Sequence, residues 1–483
     1  MNLGAARSLL FTPLRLPRGL QLENRIVLPA MVTRLSGEDG LVNDDIRDRY
    51  VRYAQGEPGL MVVEAMAVHG SRSGPLLRVS EERFADGLAG LARAVHDTSP
   101  TRVAAQIIHF LKISRREWRQ KVTDLSVEDI DRIVEEYGDA AVRIRDAGFD
   151  AVELHMAHAY TLSSFLSRRN LRRDRFGGRS LENRLRVPSM ALARVRERVG
   201  PDFCVGIRYD GEEAIKDGYS VGEAAQMAVR FARLGADYLS ISAGGKFEDA
   251  IKREGEPLYP YTGYSGDRCM PSALYPDGVN VYLAEGIRSA LRERNFETPV
   301  VATGKIRTAP LAESILQQGR ADLIGMARQL LADPDWPRKV REGDADRVVP
   351  CVYNNVCKAL DERFHRVRCT LWRKRDLHAP APPDGPDQAP EWPADAALEV
   401  TPREGRLRLE WSAAHDDHEV YGYLIERAEQ GGPWVHLYSV RGTATRYEDT
   451  EALADAVYRY RVTAYDLSGN RSLPLTSEEE THG

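Results

Sequence analysis

Eight short apolar runs, each followed by a segment of helical period, constrain this 483-residue chain more than any other feature. The runs cover residues 24–31, 60–65, 102–108, 149–154, 204–208, 238–242, 300–303 and 323–326. Between them, stretches such as 127–147 and 221–234 repeat apolar residues every third or fourth position, as an amphipathic helix does. Strands separated by helices pair in parallel, and eight parallel strands are the number that closes a (β/α)8 TIM barrel. An open doubly wound sheet is the alternative. No Gly-x-Gly-x-x-Gly follows any of the strands, which counts against it.

After Trp372 the pattern changes. Residues 373–396 are rich in Pro, Asp and Ala with few large aliphatics, the composition of an extended linker. From Leu398 onward, short runs alternate with period two at 398–401, 407–411, 421–426, 434–438 and 458–465. That alternation predicts a small all-β sandwich. The expected division is a barrel over 1–372, a linker over 373–396 and a β domain over 397–483.

The fourth run turns polar and aromatic as it ends, at His155-Met-Ala-His158-Ala-Tyr160. Strand C-termini line the active-site mouth of a parallel barrel. Two imidazoles and a phenol at that point offer donors for a developing oxyanion and a weak acid. Spacing alone equally allows a satisfied histidine pair in a loop and a tyrosine tied to backbone.

Longer motifs carry more information. Gly148-Phe149-Asp150, the His155–Tyr160 stretch, Phe165-Leu-Ser167, Asp174-Arg-Phe-Gly-Gly178 and Ser180-Leu-Glu-Asn-Arg184 resemble the signature of the old yellow enzyme family. They look most like its bacterial branch of FMN-dependent reductases related to 2,4-dienoyl-CoA reductase and enoate reductase. The likeness runs over about 8–372. It implies FMN as cofactor and NAD(P)H as hydride donor. It also implies a site in which His155 and His158 bind the carbonyl oxygen of an activated alkene and Tyr160 protonates its α carbon. By the same resemblance Gln106 bonds the flavin ring and Arg208 holds its N1–C2=O edge. Pro29, Ala30, Met31 and Ala65 pack along the flavin, and Gly304, Lys305, Ala327 and Arg328 cradle the phosphate. An arginine on so apolar a strand also calls for an anionic partner on physical grounds, and glycine lets backbone approach a phosphate closely.

The chain departs from the family in several places. Val32 follows Met31 where many relatives place Thr or Cys; it cannot donate a hydrogen bond, so the flavin potential should shift unless Thr33 substitutes. The loop over 106–121 is short and basic, and Arg168, Arg169, Arg172 and Arg173 crowd the next one. Such a rim suits an anionic small-molecule substrate, or is simply solvated or paired with acids. Arg179 resembles a one-residue insertion. Cys351, Cys357 and Cys369 resemble the iron–sulfur segment of the dienoyl-CoA reductase branch, with Asn354 at the second ligand position. A [4Fe–4S] cluster takes four thiolates, so a degenerate, clusterless site is the favoured expectation. In the C-terminal part, Trp411, Tyr458-x-Tyr460 and Ala464-Tyr-Asp-x-x-Gly-Asn470 resemble a fibronectin type III domain, with Tyr458 at its tyrosine corner. That resemblance implies a spacing module, or a contact surface for another protein or a neighbouring subunit.

Net charge of −5 and pI ≈ 6.2 supply no drive toward nucleic acid or anionic membrane. No run of ~18 apolar residues could span a bilayer, and the start carries no recognisable secretory signal. Five cysteines in so long a chain do not make a disulfide framework. A cytoplasmic homo-oligomer is therefore expected. The leading function is reduction of an activated C=C bond. The same site run oxidatively, as a dehydrogenase or desaturase, is the alternative, and a non-catalytic barrel acting as scaffold comes third.

Overall fold

The computed structural model describes residues 8–71, 74–111, 121–245, 266–273, 275–383, 385–403, 406–453, 456–478 and 480–481. A small antiparallel hairpin, β1 (Leu14–Arg15) with β2 (Gln21–Leu22), precedes the main body. Eight strands follow: β3 (Ile26–Leu28), β4 (Leu60–Ala67), β5 (Arg102–Ile108), β6 (Ala151–Met156), β7 (Cys204–Asp210), β8 (Tyr238–Ser242), β9 (Val300–Ala302) and β10 (Leu323–Gly325). They close into a barrel in chain order, with β10 pairing β3, and every pairing is parallel. The eight expected runs are the eight barrel strands.

Side-chain alternation separates two cores. Val27, Leu60, Val62, Ala104, Ala151, Cys204, Tyr238, Val301 and Leu323 point inward near the strand starts, where Leu16 and Leu22 of the hairpin pack onto them. The other face of the strands packs on the surrounding helices in one continuous apolar cluster. Helix Val127–Asp146 shows why the periodic segments fold as they do. Ser126 and Asp129 form a reciprocal capping box at its start, and Ile130, Ile133, Val134, Tyr137, Ala141 and Ile144 make its buried stripe.

One irregularity matters for the site. Between Val63 and Met66 the β4–β5 register shifts. This bulge leaves Glu64 and Ala65 outside the regular ladder and re-aims them.

The C-terminal part contains β11 (Leu398–Arg403), β12 (Arg406–Trp411), β13 (Gly422–Glu429), β14 (Val435–Arg441), β15 (Arg446–Asp449), β16 (Val457–Tyr465), β17 (Leu475–Thr476) and β18 (Glu480–Thr481). They make two antiparallel sheets, β11-β12-β15 and β14-β13-β16-β17, with β18 also on β16. Leu407, Leu409, Trp411, Tyr423, Ile425, Tyr460 and Val462 fill the space between them. The Tyr458 hydroxyl accepts the Leu453 amide at 3.1 Å. Strand β15 was not anticipated: in Arg446-Tyr-Glu-Asp449 only Tyr447 is apolar in character, and Asp449 is buried against Arg427 and Tyr460 instead.

The described residues of 373–396 contain no helix, yet they are tied down at both ends. Arg49 donates to the Leu377 carbonyl, Arg52 Nε to the Ala379 carbonyl at 3.0 Å, and Trp392 stacks on Tyr423 with centroids 5.8 Å apart. Among the described residues no helix is long and apolar enough to cross a membrane.

Candidate active site

One cavity opens at the C-terminal ends of the barrel strands. Pro29, Ala30, Met31, Ala65, Gln106, His155, His158, Tyr160, Arg208, Gly304, Lys305, Ala327 and Arg328 all line it. Cys357 reaches it as well, whereas Cys351 and Cys369 sit behind the wall. Residues separated by as many as 299 positions (29 to 328) thus meet because parallel strands deliver their ends to one rim.

The inner end is polar and dry. Arg208 is 8% exposed; its Nη1 donates to Ser240 Oγ at 2.9 Å and its Nη2 to Ser242 Oγ at 3.4 Å. Among the described residues no carboxylate forms an ion pair with it. A buried guanidinium held only by hydroxyls is poised for an anionic or electron-rich partner. Gln106 donates its amide to Glu153 Oε1 at 2.6 Å, which leaves the Gln106 carbonyl to accept. Glu153 is fully buried, and burial raises its pKa against the pull of Arg208.

The histidine pair is joined internally. The Ala157 amide donates to His155 Nδ1 at 3.3 Å, His155 Nε2 lies 3.2 Å from His158 Nδ1, and His158 Nε2 lies 2.6 Å from Ser242 Oγ. A backbone amide can only donate, so this network assigns both protons to Nε2 and runs one way, from residue 157 to Ser242. The expected pair of donors facing a carbonyl is therefore a closed relay here. Burial, with Arg208 beside it, lowers the His155 pKa to about 3, and burial with His155 lowers that of His158 well below its usual value. Both imidazoles are neutral. Burial and the Asp361 charge raise the Tyr160 phenol, whose ring stands edge-on to His155 at 5.2 Å.

The backbone holding these groups is unusual. His158 and Ala159 have φ of 59° and 67°, a left-handed conformation that is strained outside glycine. The His158 amide is anchored on Asp210 Oδ2 at 2.9 Å, and Gly245 pairs with His158 so closely that a Cβ there would lie 2.5 Å from the His158 carbonyl carbon.

The outer end suits a phosphate. Gly304, at φ 113°, carries the backbone past Asn280, whose Cβ would lie 2.9 Å from a Cβ at 304. Arg328 Nη1 donates to the Pro271 carbonyl at 2.7 Å and to Asn355 Oδ1, and its guanidinium lies over the Tyr353 ring at 4.7 Å. Among the described residues no carboxylate pairs with it. Lys305 differs: its ammonium donates to the carbonyls of Ser272 at 3.1 Å, Ala273 at 3.2 Å and Tyr275. Those bonds leave Lys305 a main-chain amide to offer, with its side chain serving to shape the neighbouring loop. Two buried cations with no ion-paired carboxylate among the described residues, both lining one cavity, fit the pyrimidine edge and the phosphate of FMN.

Thr33 does not take the role left vacant by Val32. Its amide donates to Glu64 Oε2 at 2.9 Å, its hydroxyl accepts the Leu35 amide at 3.2 Å, and only Met31, Val32 and Arg34 of this segment line the cavity. Burial raises the Glu64 pKa to about 7.

Several lining groups were missed from sequence. Arg34, paired with Asp361 at 2.7 Å, and Tyr353, Lys358 and Glu362 come from a loop and from the segment after the barrel, where no strand periodicity flags them. Ser242 and Glu153 do not line the cavity but bond to His158 and Gln106, which do; they sit within recognised strands, and inward alternation could have found them. Of the basic rim, Arg168 pairs with Glu223 at 2.7 Å and Arg172 with Asp174 at 3.1 Å, so the acid-paired alternative holds for these two. Residues 112–120 of the basic loop lie outside the described residues.

The cysteine segment does not fit a four-thiolate cluster. Asn354 stands in the second ligand position, its Nδ2 donating to Thr370 Oγ1 at 2.9 Å and to the Tyr438 hydroxyl at 3.3 Å, its Oδ1 accepting the Val356 amide at 3.2 Å. An amide committed in this way is no substitute for a thiolate.

Comparison with known proteins agrees with this geometry. The sequence model of the NADH:flavin oxidoreductase / NADH oxidase family matches residues 111–347. An NADH oxidase of Thermoanaerobacter brockii is 33% identical over 379 residues, 73% of this chain, but the match spans only 54% of that protein's length. An NADPH dehydrogenase of Geobacillus sp. is 32% identical over 347 residues, covering 68% of this chain and 93% of that protein. Among solved structures, morphinone reductase in complex with tetrahydroNAD superposes with a TM-score of 0.54 at 26% identity, over 70% of this chain and 91% of that one.

Proposed function

The chain belongs to the NADH:flavin oxidoreductase / NADH oxidase family, and from that premise we propose that its barrel is an FMN-dependent oxidoreductase that reduces an activated C=C bond with NAD(P)H. The observation that carries this reading is the pair of buried arginines, Arg208 and Arg328, that line one cavity with no carboxylate ion-paired to either among the described residues. Bound FMN supplies two-electron hydride chemistry between a nicotinamide and an electron-poor alkene.

The protein's own groups divide the remaining work. Arg208 stabilises negative charge at the ring edge, and Gln106, oriented by Glu153, offers its carbonyl to a ring N–H. Arg328 holds the phosphate beside the amides of Gly304 and Lys305. His155 and His158 polarise the carbonyl of the alkene substrate as neutral donors, which requires the His155 Nε2–H to exchange His158 Nδ1, and the His158 Nε2–H to exchange Ser242 Oγ, for the substrate oxygen. Tyr160, protonated at neutral pH, gives its proton to carbon. Leu76, Ile108, Phe110 and Met270 supply apolar wall that keeps water from the reacting atoms.

A second reading, a flavin-dependent dehydrogenase working oxidatively, is favoured by the closed histidine relay, in which both N–H groups are already taken. One experiment separates the two. In the reductase, anaerobic NADH or NADPH bleaches the visible flavin bands, and an enone restores them. Tyr160→Phe bleaches equally fast but is reoxidised by the enone at least tenfold more slowly, since general acid catalysis is worth about 10²–10⁴-fold. Bands untouched by either nucleotide, but bleached by a saturated substrate, would establish the oxidative direction.

We further read residues 1–372 as the catalytic domain and 397–483 as a fibronectin type III-like domain joined by an anchored linker. The five cysteines are all free thiols, in keeping with a reducing cytoplasm, and a homo-oligomer is the assembly we expect.

A further inference from the structure

Far from the cavity, where the segment after the barrel meets the β unit, four side chains converge: Asp387, Asp416, Asp417 and His418. One ligand atom from each lies within 4.8 Å of all the others. Acidic clusters on a surface are commonplace, but this one contains a group that is out of place there. The Asp387 side chain is only 7% exposed, and both of its carboxylate oxygens are buried without a hydrogen-bond donor among the described residues. Asp416 Oδ2 is in the same condition, while its Oδ1 accepts the amides of His418 and Glu419 at 2.9 and 2.7 Å. A buried carboxylate lacking donors is costly, and proteins ordinarily match such a group with a cation.

Among the described residues no lysine or arginine pairs with Asp387, and the one side chain in ion-pair reach is His418. His418 Nδ1 comes within 3.1 Å of Asp387 Oδ1 and 3.3 Å of Asp417 Oδ1, but Asp387 gains no aligned hydrogen bond from it. Arg373 is engaged by Asp376 and Glu419. Asp466 adds a further carboxylate; its pKa is raised by burial and by the charges of Asp387 and Asp416. Its oxygens are capped by Asn470, whose Nδ2 also donates to the Asp387 carbonyl at 3.3 Å.

We propose that Asp387, Asp416, Asp417 and His418 form a divalent cation site that fastens the segment after the barrel to the β unit. Three carboxylates and one imidazole at a partly exposed position suit an oxygen-preferring ion such as Ca²⁺ or Mn²⁺, with water completing the shell. The ligands come from two chain segments about 30 residues apart, so binding closes a loop and stabilises the folded state by mass action.

The test uses the full-length, FMN-loaded protein, stripped with EDTA and then titrated with Ca²⁺, Mn²⁺ or Zn²⁺ while Tm is followed. The site predicts a saturable rise of several degrees with at least one ion, and one bound ion per chain by equilibrium dialysis. In Asp387→Asn and Asp416→Asn the rise disappears, while the visible spectrum of the flavin is unchanged. Stripped Asp387→Asn should be no less stable than stripped wild type, because it removes an uncompensated charge; this guards against mistaking misfolding for lost binding. The proposal is overturned if no ion raises Tm, or if the rise is the same in Asp387→Asn. It is equally overturned if wild type ignores every ion and instead loses stability as pH rises through the raised pKa of His418, which would make protonated His418 the counter-charge.

Discussion

His155 and His158, which line the cavity, and Glu64, which lies behind it on the Thr33 amide, are all driven toward their neutral forms by burial. For the histidines this bears on the proposed chemistry: as neutral groups they would polarise an oxygen by donating hydrogen bonds, without themselves carrying charge. Activity should therefore show no ionisation near pH 6.5 from this pair, and a pH–rate profile measured on reoxidation by an enone checks it. Glu64 has a consequence for stability. Its folded pKa of about 7 lies above the ordinary carboxyl value, so its contribution is fully present at low pH and is lost as pH rises through about 7. Glu64→Gln keeps an acceptor for the Thr33 amide but cannot ionise. Its Tm relative to wild type should climb between pH 5 and pH 8.5, by up to about 3 kcal/mol in stability terms. A difference that stays flat with pH would mean Glu64 keeps its charge in the fold. At this scale the sequence was informative about where a side chain sits, as with Arg208 and Tyr160, both of which line the cavity. It misled where function depends on which neighbour a group has already bonded. Nothing local to Lys305 says that its ammonium is consumed by residues 272–275, nor that Thr33 faces Glu64.

The barrel strands were legible as elements because a strand buried on both faces needs an unbroken apolar run, and eight such runs have few topologies open to them. Their ends were less legible. Strand β6 continues to Met156, beyond the last purely apolar residue, because its pairing with β7 aligns His155 with Arg208 and so sets the two against each other. Strand β15 escaped notice because its buried face is an aspartate satisfied by Arg427 and Tyr460, which no hydrophobic pattern reveals. The turn after β6 adds a requirement that belongs to two elements at once: the positive φ of His158 and Ala159 is tolerated because Gly245, just beyond β8, lets the chains touch. Gly245→Ala should push His158 away from Ser242. The expected outcome is near-normal bleaching by NAD(P)H with substantially slower reoxidation by an enone, of the order of 10–100-fold. Equal loss in both half-reactions would place Gly245 in cofactor binding instead.

Across the whole molecule, the β unit meets the wall of the cavity through a buried aromatic cluster. Tyr421, Leu424 and Tyr465 pack on Val349, Cys351, Tyr353 and Leu371 in one buried cluster. Tyr353 in turn faces Lys305, Arg307 and Arg328 at 4.7, 5.5 and 4.7 Å, and so underlies the phosphate end of the cavity. Tyr438 and Arg471 add polar ties to Asn354 and the Val348 carbonyl. The sequence shows the β unit and the cysteine segment as separate features; only their packing shows that one leans on the other where a cluster ligand is missing. Loosening that contact should therefore be felt at the cofactor. Leu424→Ala, a cavity-forming change in the cluster that holds Tyr353, removes packing worth about 2–5 kcal/mol. It should lower Tm and, independently, weaken FMN affinity several-fold, as read by fluorescence titration of apoprotein well below Tm. If Tm falls and FMN affinity holds, the β unit is a passenger on the barrel and Tyr353 is positioned by the barrel alone. If both fall together, the sandwich is part of the apparatus that holds the flavin.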